Sequence, residues 1–281
     1  MNTESWLTKD EMKSIYSSDY WNEREIEKDK IWNVNESDSY KLLDHLQDNT
    51  NLEDSIVSGV DYLEKLTGKP IGGVCLDLAA GVCWTSAIIA KYPSIKKVIA
   101  VEISKHRLEK IAPVVIKKYD APSDKIQLTL GNFCDIKLDD ESVDLVILAQ
   151  AFHHTEEPEI LMKEIHRVLK MDGCCLITGE NPVSIKKYFV TMLKHNIKKI
   201  IFSIKLDSYL KRKLTPNAVN KFSVKFNDIF PPDSQKGDHC YRIKDIKRIM
   251  NNNRYKLYLQ STPIKSDQVS KGIFNYIVLK K

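Results

Sequence analysis

Short apolar runs alternate with amphipathic segments between residues 74 and 179, and this alternation limits the fold more than any other feature of the chain. Five apolar runs have the length of strands, and they lie at 74–79, 97–103, 126–130, 143–149 and 174–179. Three segments with helical spacing separate them, at 84–92, 104–119 and 157–169. Strands that alternate with helices form a parallel sheet covered on both faces. The pattern therefore predicts an α/β core with a doubly wound, mostly parallel sheet.

The flanking segments add to this core. Apolar residues between Tyr40 and Leu66 recur at helical spacing and stop before Gly68 and Pro70, which predicts two helices ahead of the first strand. A helix predicted at 243–251 is followed by two β-rich runs, at 254–261 and 272–280, which predict a hairpin at one edge of the sheet. The predicted total is seven strands.

These predictions divide the chain into four parts. An N-terminal helical cap is expected at 1–69, the α/β core at 70–182 and a helical lid insertion at 183–240. The C-terminal helix and hairpin at 241–281 are expected to complete the core sheet.

Composition and charge narrow the function only slightly. Lys and Arg number 43 and Asp and Glu 38, so the net charge is +5, too small an excess to indicate a nucleic acid or a membrane by itself. Six cysteines without a CxxC pair predict no metal site and a reducing compartment. No run of 18 apolar residues occurs, and the N-terminal segment is polar and charged. We therefore expect a soluble, cytoplasmic protein.

Two carboxylates follow the first two strands at positions suited to a nucleoside ligand. Asp77 ends a buried run and precedes a turn of small residues around Gly81, which a helix follows at once. Small residues let a ligand approach the backbone, and a helix N-terminus offers N–H groups. Glu102 ends the second run and could accept hydrogen bonds from ribose hydroxyls. Both groups are expected at the carboxyl edge of the sheet, where such ligands bind.

Two kinds of nucleoside cofactor compete for this arrangement. A dinucleotide requires G-x-G-x-x-G, because its pyrophosphate rests on the turn, whereas this turn has only Gly81. The carboxylate of Asp77 would repel a pyrophosphate and would suit the cationic amino group of an amino-acid cofactor. The residues favour the second kind.

Four stretches between about residues 70 and 180 resemble class I S-adenosylmethionine-dependent methyltransferases, in the family's order. Residues 74–86 are similar to its first motif, D/E-x-G-x-G-x-G, and 99–108 (IAVEISKHRL) to its ribose strand. Residues 131–154 resemble the family's segment G-D-A-x-x-L-P-F-x-D-x-S-F-D-x-V and the histidine-bearing loop after it. Residues 156–180 resemble its helix and fifth strand around R-V-L-K-P-G-G. The resemblance implies the class I methyltransferase fold, with S-adenosylmethionine as cofactor and no metal.

The resemblance also implies which residues bind the cofactor. Asp77 and the following turn would hold the methionine part, Glu102 the ribose, and Asn132 the adenine end. Ala and Cys replace the first and third motif glycines. The full implied set is Asp77, Ala79, Gly81, Cys83, Glu102, Ile103, Asn132, Phe133, Ala149, Gln150 and Tyr20.

Candidate catalytic residues lie outside the first motif. His153 and His154 follow the fourth strand, and an imidazole can take the proton released when a hydroxyl or amine is methylated. They could instead only shape the loop. His239 and Tyr241 precede the late helix and could orient the substrate, or they could simply start that helix.

The segment 183–236 is strongly basic, with 12 Lys or Arg against three Asp. Apolar residues between 185 and 204 recur at three- and four-residue steps, which predicts an amphipathic helix. Three interpretations stay open. The apolar face could pack on the core, the charges could attract a phosphorylated or nucleotide-linked substrate, or residues 185–205 could bind an anionic membrane surface.

We therefore expect a methyltransferase that modifies an oxygen or nitrogen atom of a small, anionic metabolite. A nucleic-acid methyltransferase is disfavoured, because Ala149-Gln150-Ala151-Phe152 stands where base-modifying enzymes have D/N-P-P-Y/F. A non-catalytic scaffold is the third hypothesis, and Cys83 and Asn132 are the residues that favour it.

Overall fold

The computed structural model describes residues 2–16, 52–155, 157–180, 193, 241–252, 255–262 and 273–280. Of the predicted site residues, Tyr20 and His239 lie outside these ranges. The predicted lid also lies outside them, except for Leu193.

Eight strands form one sheet in the described part of the chain, in the order β1-β4-β3-β2-β5-β6-β8-β7. The pairs from β1 to β6 are all parallel, whereas β8 runs antiparallel to both β6 and β7. The strands are β1 (Thr3–Ser5), β2 (Gly73–Leu78), β3 (Ile95–Glu102), β4 (Ile126–Leu130), β5 (Val143–Ala149), β6 (Leu169–Glu180), β7 (Tyr255–Thr262) and β8 (Ile273–Lys280). The α/β class, the five parallel core strands and the C-terminal hairpin are confirmed. The predicted count of seven is one short, because β1 adds an edge strand beside β4.

Six α-helices flank the sheet in the described ranges. They are α1 (Lys9–Tyr16), α2 (Leu52–Thr67), α3 (Trp84–Ala90), α4 (Ala112–Lys118), α5 (Pro158–Val168) and α6 (Ile243–Asn252). A π-helical turn, Arg107–Ile111, leads into α4.

Alternating side chains of each strand enter two separate cores, one on each face of the sheet. Cys75 of β2 joins the cluster that contains α2, α3 and α4, whereas the next residue, Leu76, joins the cluster with α5 and α6. Leu63 of α2 and Ile165 of α5 are both fully buried. Each such side chain contributes about 1.5–3 kcal/mol of hydrophobic stabilisation.

β2 lies at the centre of the sheet, between β3 and β5. The chain runs from β2 to β3 and β4 on one side, and then crosses over to β5 and β6 on the other. Ligands of open α/β sheets bind beyond the carboxyl ends of the strands at such a crossover point. This edge therefore holds the candidate site. None of the helices in the described ranges is both long and apolar enough to span a lipid bilayer.

Candidate functional site

Asp77 is a buried carboxylate near the carboxyl end of β2, with 1% of its surface exposed. Its Oδ2 atom accepts hydrogen bonds from the hydroxyls of Thr85, at 2.5 Å, and Ser86, at 2.6 Å. No donor among the described residues reaches the buried Oδ1 atom. A buried carboxylate oxygen without a donor is costly, so Oδ1 is suited to a cationic ligand that brings one.

Burial raises the pKa of the Asp77 carboxyl to about 6, although the hydrogen bonds from Ser86 and Thr85 lower it. The negative charge of Glu102 adds to the increase. An ammonium group beside Oδ1 would oppose both effects, because an opposite charge favours the ionised form.

Glu102 ends β3, and its carboxylate is also buried. Its Oε2 atom accepts the backbone N–H of Gly81 at 2.8 Å, and its Oε1 atom accepts that of Ser104 at 2.9 Å. The carboxylate thereby links the end of β3 to the turn after β2. Each oxygen has a second lone pair, with which it could accept a hydroxyl hydrogen.

The turn between β2 and α3 is left-handed at three alternate residues. The φ angles are 53° at Ala79, 56° at Gly81 and 62° at Cys83. This backbone suits glycine, and it costs roughly 1–2 kcal/mol at the alanine and at the cysteine. A Cβ atom built on Gly81 would meet nothing within 4 Å, so open space lies beside the turn.

The loop after β4 holds the residues predicted for the adenine end. Asn132 uses its side-chain oxygen to accept the N–H of Cys134 at 2.9 Å, so it stabilises the turn in which it lies. Phe133 is partly buried against the apolar cluster that contains Leu76. Ile103, predicted at the ribose end, is also partly buried.

The ends of β5 and β6 form the other side of the crossover. Gln150 has a φ of 50°, and its N–H donates to the carbonyl of Thr178 at 2.9 Å. A Cβ on Gly179 would lie 2.7 Å from Cγ of Gln150, so glycine is required for this close approach. Ala149 and Gln150 are partly exposed at this edge.

His153 lies in the turn after β5, where Glu180 holds its ring. Nδ1 of His153 lies 3.1 Å from Oε2 of Glu180, a carboxylate that is 5% exposed. The other carboxylate oxygen accepts the N–H of Phe152 at 3.1 Å. His154 is exposed, and its ring centroid lies 4.2 Å from that of His153.

Tyr241 packs beneath the same turn. Its ring centroid lies 5.3 Å from that of Phe152, and its hydroxyl donates to the carbonyl of Thr155 at 3.1 Å. Burial raises the pKa of this hydroxyl. The contacts of Tyr241 thus join α6 to the His153 turn, and its role toward a substrate stays a prediction.

The sequence and the fold of this region resemble those of known proteins. Residues 76–177 match a family model described as a methyltransferase domain. That match begins within β2 and ends within β6, so it includes Asp77 and Glu102. Residues 76–177 are therefore similar to a methyltransferase domain.

Solved structures share the fold of this methyltransferase domain. YcgJ from Bacillus subtilis has a TM-score of 0.52 and 14% identity, over 80% of this chain and 99% of that protein. A SAM-dependent methyltransferase from Aquifex aeolicus has a TM-score of 0.50 and 16% identity, over 88% and 100% of the two chains. At such identities the likeness concerns the fold alone.

Similarity in sequence is confined to part of each relative. A Schizosaccharomyces pombe protein described as an uncharacterized methyltransferase-like protein is 41% identical over 101 residues, which are 36% of this chain and 35% of that protein. Demethylmenaquinone methyltransferase from Staphylococcus epidermidis is 29% identical over 124 residues, 43% of this chain and 49% of that enzyme. The chain thus spans less than half the length of these curated relatives.

The residues of the methyltransferase domain fit S-adenosylmethionine, the cofactor of this enzyme class. Oδ1 of Asp77 lacks a donor among the described residues, and the methionine ammonium of the cofactor would supply one. The space beside Gly81 leaves room for a ligand on the turn. Glu102 lies on the neighbouring strand, with its carboxylate fixed against the same turn.

Three residues with direct contacts to the site were missed by the sequence analysis. Thr85 and Ser86 bind Asp77, and Glu180 binds His153. A signal for Glu180 was present, because it is a carboxylate at the carboxyl end of a buried strand, as Asp77 and Glu102 are. The hydroxyl pair has no such signal, since Thr and Ser occur at the start of many helices.

Proposed function

We propose that this chain transfers a methyl group from S-adenosylmethionine to an oxygen or nitrogen atom of a small, anionic metabolite. The observation that carries the proposal is the pair of buried carboxylates on adjacent strands, Asp77 and Glu102, on either side of the open turn at Gly81. One would bind the ammonium group and the other the ribose hydroxyls of a single nucleoside.

The bound cofactor supplies a methyl group already activated by the positive charge on sulfur. The protein then has to hold the acceptor atom in line with that group, and positioning of this kind accounts for much of the rate of such reactions. Ala149 and Gln150, at the end of β5, would line the path between cofactor and acceptor. The hydrogen bond from the N–H of Gln150 to Thr178 joins this strand end to β6.

We propose His153 as the group that holds the acceptor's proton. When an acceptor oxygen gains the methyl group, its O–H bond breaks and the proton needs a base. The contact of Nδ1 with Glu180 supports this role, because a buried carboxylate orients an imidazole and stabilises its protonated form.

The preference for an anionic acceptor is supported by charge. The segment 183–236 has 12 Lys or Arg against three Asp, a local balance of +9. The two cofactor carboxylates and Glu180 are acidic, so the described edge of the sheet offers little attraction to an anion. We therefore propose that the basic segment supplies it.

The release of S-adenosylhomocysteine tests this function. We expect sugar phosphates and nucleotide-linked sugars to be methylated at least about tenfold faster than the neutral parent sugars, since attraction between a positively charged segment and an anionic substrate raises encounter rates by that order or more. Equal rates with neutral acceptors, or turnover only with RNA or DNA, would contradict the proposal.

Two neighbouring histidines provide a matched pair of variants for the same assay. H153A should lower kcat by about 10²- to 10⁴-fold, the usual contribution of a general base, whereas H154A should retain wild-type kcat within a few-fold. Both should bind S-adenosylmethionine as the wild type does. Wild-type kcat in H153A would show that this histidine is not the base, and that positioning of the acceptor atom is sufficient for the reaction.

A further inference from the structure

The short strand β1 brings the N-terminal segment to the cofactor edge of the sheet. Its register with β4 pairs Thr3 with Leu128 and Ser5 with Leu130. The chain continues in the same direction, and the N–H of Trp6 donates to the carbonyl of Leu130 at 2.9 Å. Because the two strands are parallel, the residue after β1 lies beside the loop after β4, which is the loop of Asn132.

Trp6 lies directly against the first residue of that loop. A Cβ built on Gly131 would lie 3.0 Å from Cε3 of Trp6 and 3.1 Å from Cγ1 of Val101. Gly131 is therefore packed closely between the indole and the side chain of a β3 residue, and a methyl group there would require one of these side chains to move by a few tenths of an ångström. Its φ angle lies outside the left-handed region, so close packing accounts for the glycine, not backbone conformation.

Gly131 is also hydrogen-bonded to β3, the strand that ends with Glu102. The N–H of Gly131 donates to the carbonyl of Glu102 at 3.0 Å, and the carboxylate of Glu102 binds the turn at Gly81. Trp6 is partly buried and belongs to the apolar cluster that Phe133 also contacts. The indole, the loop and the cofactor turn thus form one continuous set of contacts.

The anchoring of α1 keeps Trp6 in place. Thr8 and Glu11 form a reciprocal cap, in which the N–H of Thr8 donates to Glu11 at 2.8 Å and the N–H of Glu11 donates to the hydroxyl of Thr8 at 3.2 Å. Leu7, next to Trp6, packs into the cluster on the opposite face of the sheet. The N-terminal segment therefore contacts the apolar clusters on both faces of the sheet, with Trp6 on one face and Leu7 on the other.

We propose that Trp6 is a positioning residue for the purine end of the cofactor site. By holding the Gly131 peptide, it fixes where Asn132 and Phe133 meet the base, and so it sets the preference for adenine. This inference rests on the proposed cofactor, but Trp6 lies outside the stretches that carry the methyltransferase resemblance.

Calorimetric titration with S-adenosylhomocysteine and S-inosylhomocysteine tests it. The two ligands differ only at the base, so their affinity ratio reports base recognition. In W6A we expect the affinity for S-adenosylhomocysteine to fall about tenfold, the effect of losing one packed aromatic anchor, and the ratio to move toward one. L7A is the matched control, since its side chain lies on the other face; it should keep the wild-type ratio.

Two further variants, W6F and G131A, test the inference if W6A does not fold. W6F keeps an aromatic ring against Gly131 and should retain most of the ratio, whereas G131A, which places a methyl group at the indole, should lose it. Wild-type ratios in W6A, or in G131A if W6A does not fold, would overturn the inference. Failure of the wild type to bind either ligand would instead refute the proposed cofactor, so the two failures are distinguishable.

Discussion

At the scale of single residues, Asp77 destabilises the folded protein because one oxygen of its buried carboxylate lacks a hydrogen-bond donor among the described residues. It is buried, its Oδ1 atom has no donor within the described ranges, and its pKa is raised to about 6. The pKa of Asp77 is higher in the folded state than in the unfolded state, so the folded protein is more stable at acid pH, where this carboxyl is protonated, than at neutral pH. Stability is lost as pH rises through the window from 3.8 to about 6, by about 3 kcal/mol in total.

The pH dependence of cofactor binding follows from the same residue. An ammonium ligand requires ionised Asp77, so the affinity for S-adenosylmethionine should rise from about pH 5 to about pH 7 and then level off. Binding near pH 6 should release a proton from Asp77, which is measured by calorimetry in two buffers of different ionisation enthalpy. Equal binding heats in the two buffers would show that Asp77 does not meet the cation.

The sequence predicted the places of some residues better than others. Asp77 and Glu102 at strand ends and Gly81 in the turn are confirmed as positions, because a one-dimensional pattern reveals such places, whereas their roles in cofactor binding stay predictions. The left-handed backbone at Ala79 and Cys83 was not foreseen, because neither residue type indicates a positive φ. His239 and Tyr20 lie outside the described residues, so their roles stay predictions.

At the scale of elements, α5 holds the loop that follows β4 through one side chain. Arg167 donates to the carbonyls of Ile136 and Leu138, both at 2.7 Å, and to the carboxylates of Glu164 and Asp140. This loop begins with Asn132 and Phe133, so the helix and the cofactor site share a support.

Loss of this contact should destabilise the fold. R167A removes the donors of two carbonyls and should lower the free energy of unfolding by about 2–3 kcal/mol, measured by urea denaturation. R167K should recover less than half of that, because one ammonium cannot reach all the acceptors. K163A, an exposed position of the same helix, is the control and should change stability by less than about 0.5 kcal/mol. Wild-type stability in R167A would show that the loop is held elsewhere.

Strand boundaries show where pattern reasoning failed. The run 174–179 was predicted as the fifth strand, but β6 begins at Leu169, which pairs with Val143 across a register shift. β1 was not predicted at all, since three residues (TES) carry no periodic signal and pair only because the edge of β4 is there. Both errors concern pairing between distant segments, which local sequence does not encode.

At the scale of the whole molecule, a buried polar cluster joins the C-terminal hairpin to the first described helix of the core. The side-chain oxygen of Asn275 in β8 accepts the hydroxyls of Ser55 in α2, at 2.8 Å, and of Thr178 in β6, at 2.6 Å. Its amide nitrogen donates to the carbonyl of Ser55 at 2.7 Å. Residues 220 positions apart are thereby linked, which the sequence could suggest only through the hairpin's expected place in the sheet.

The overall fold was predictable because alternating strands and helices allow few solutions. The parallel direction of the five core strands and the antiparallel hairpin were predicted from the connections between the runs, whereas the order of the strands comes from the structure. The boundaries of the four predicted parts remain predictions.

Titration of the protein with S-adenosylmethionine near pH 7.5 tests the two-carboxylate site most directly. The wild type should bind one molecule, and D77N should bind at least about 100-fold more weakly, as expected when one partner of a buried charge pair is removed. D77N should also unfold at a higher temperature than the wild type, since it lacks the buried charge, and the exposed substitution D124N should match the wild type in both respects. An absence of binding heat in the wild type at millimolar cofactor, or wild-type affinity in a folded D77N, would contradict the assignment of this edge of the sheet as the cofactor site.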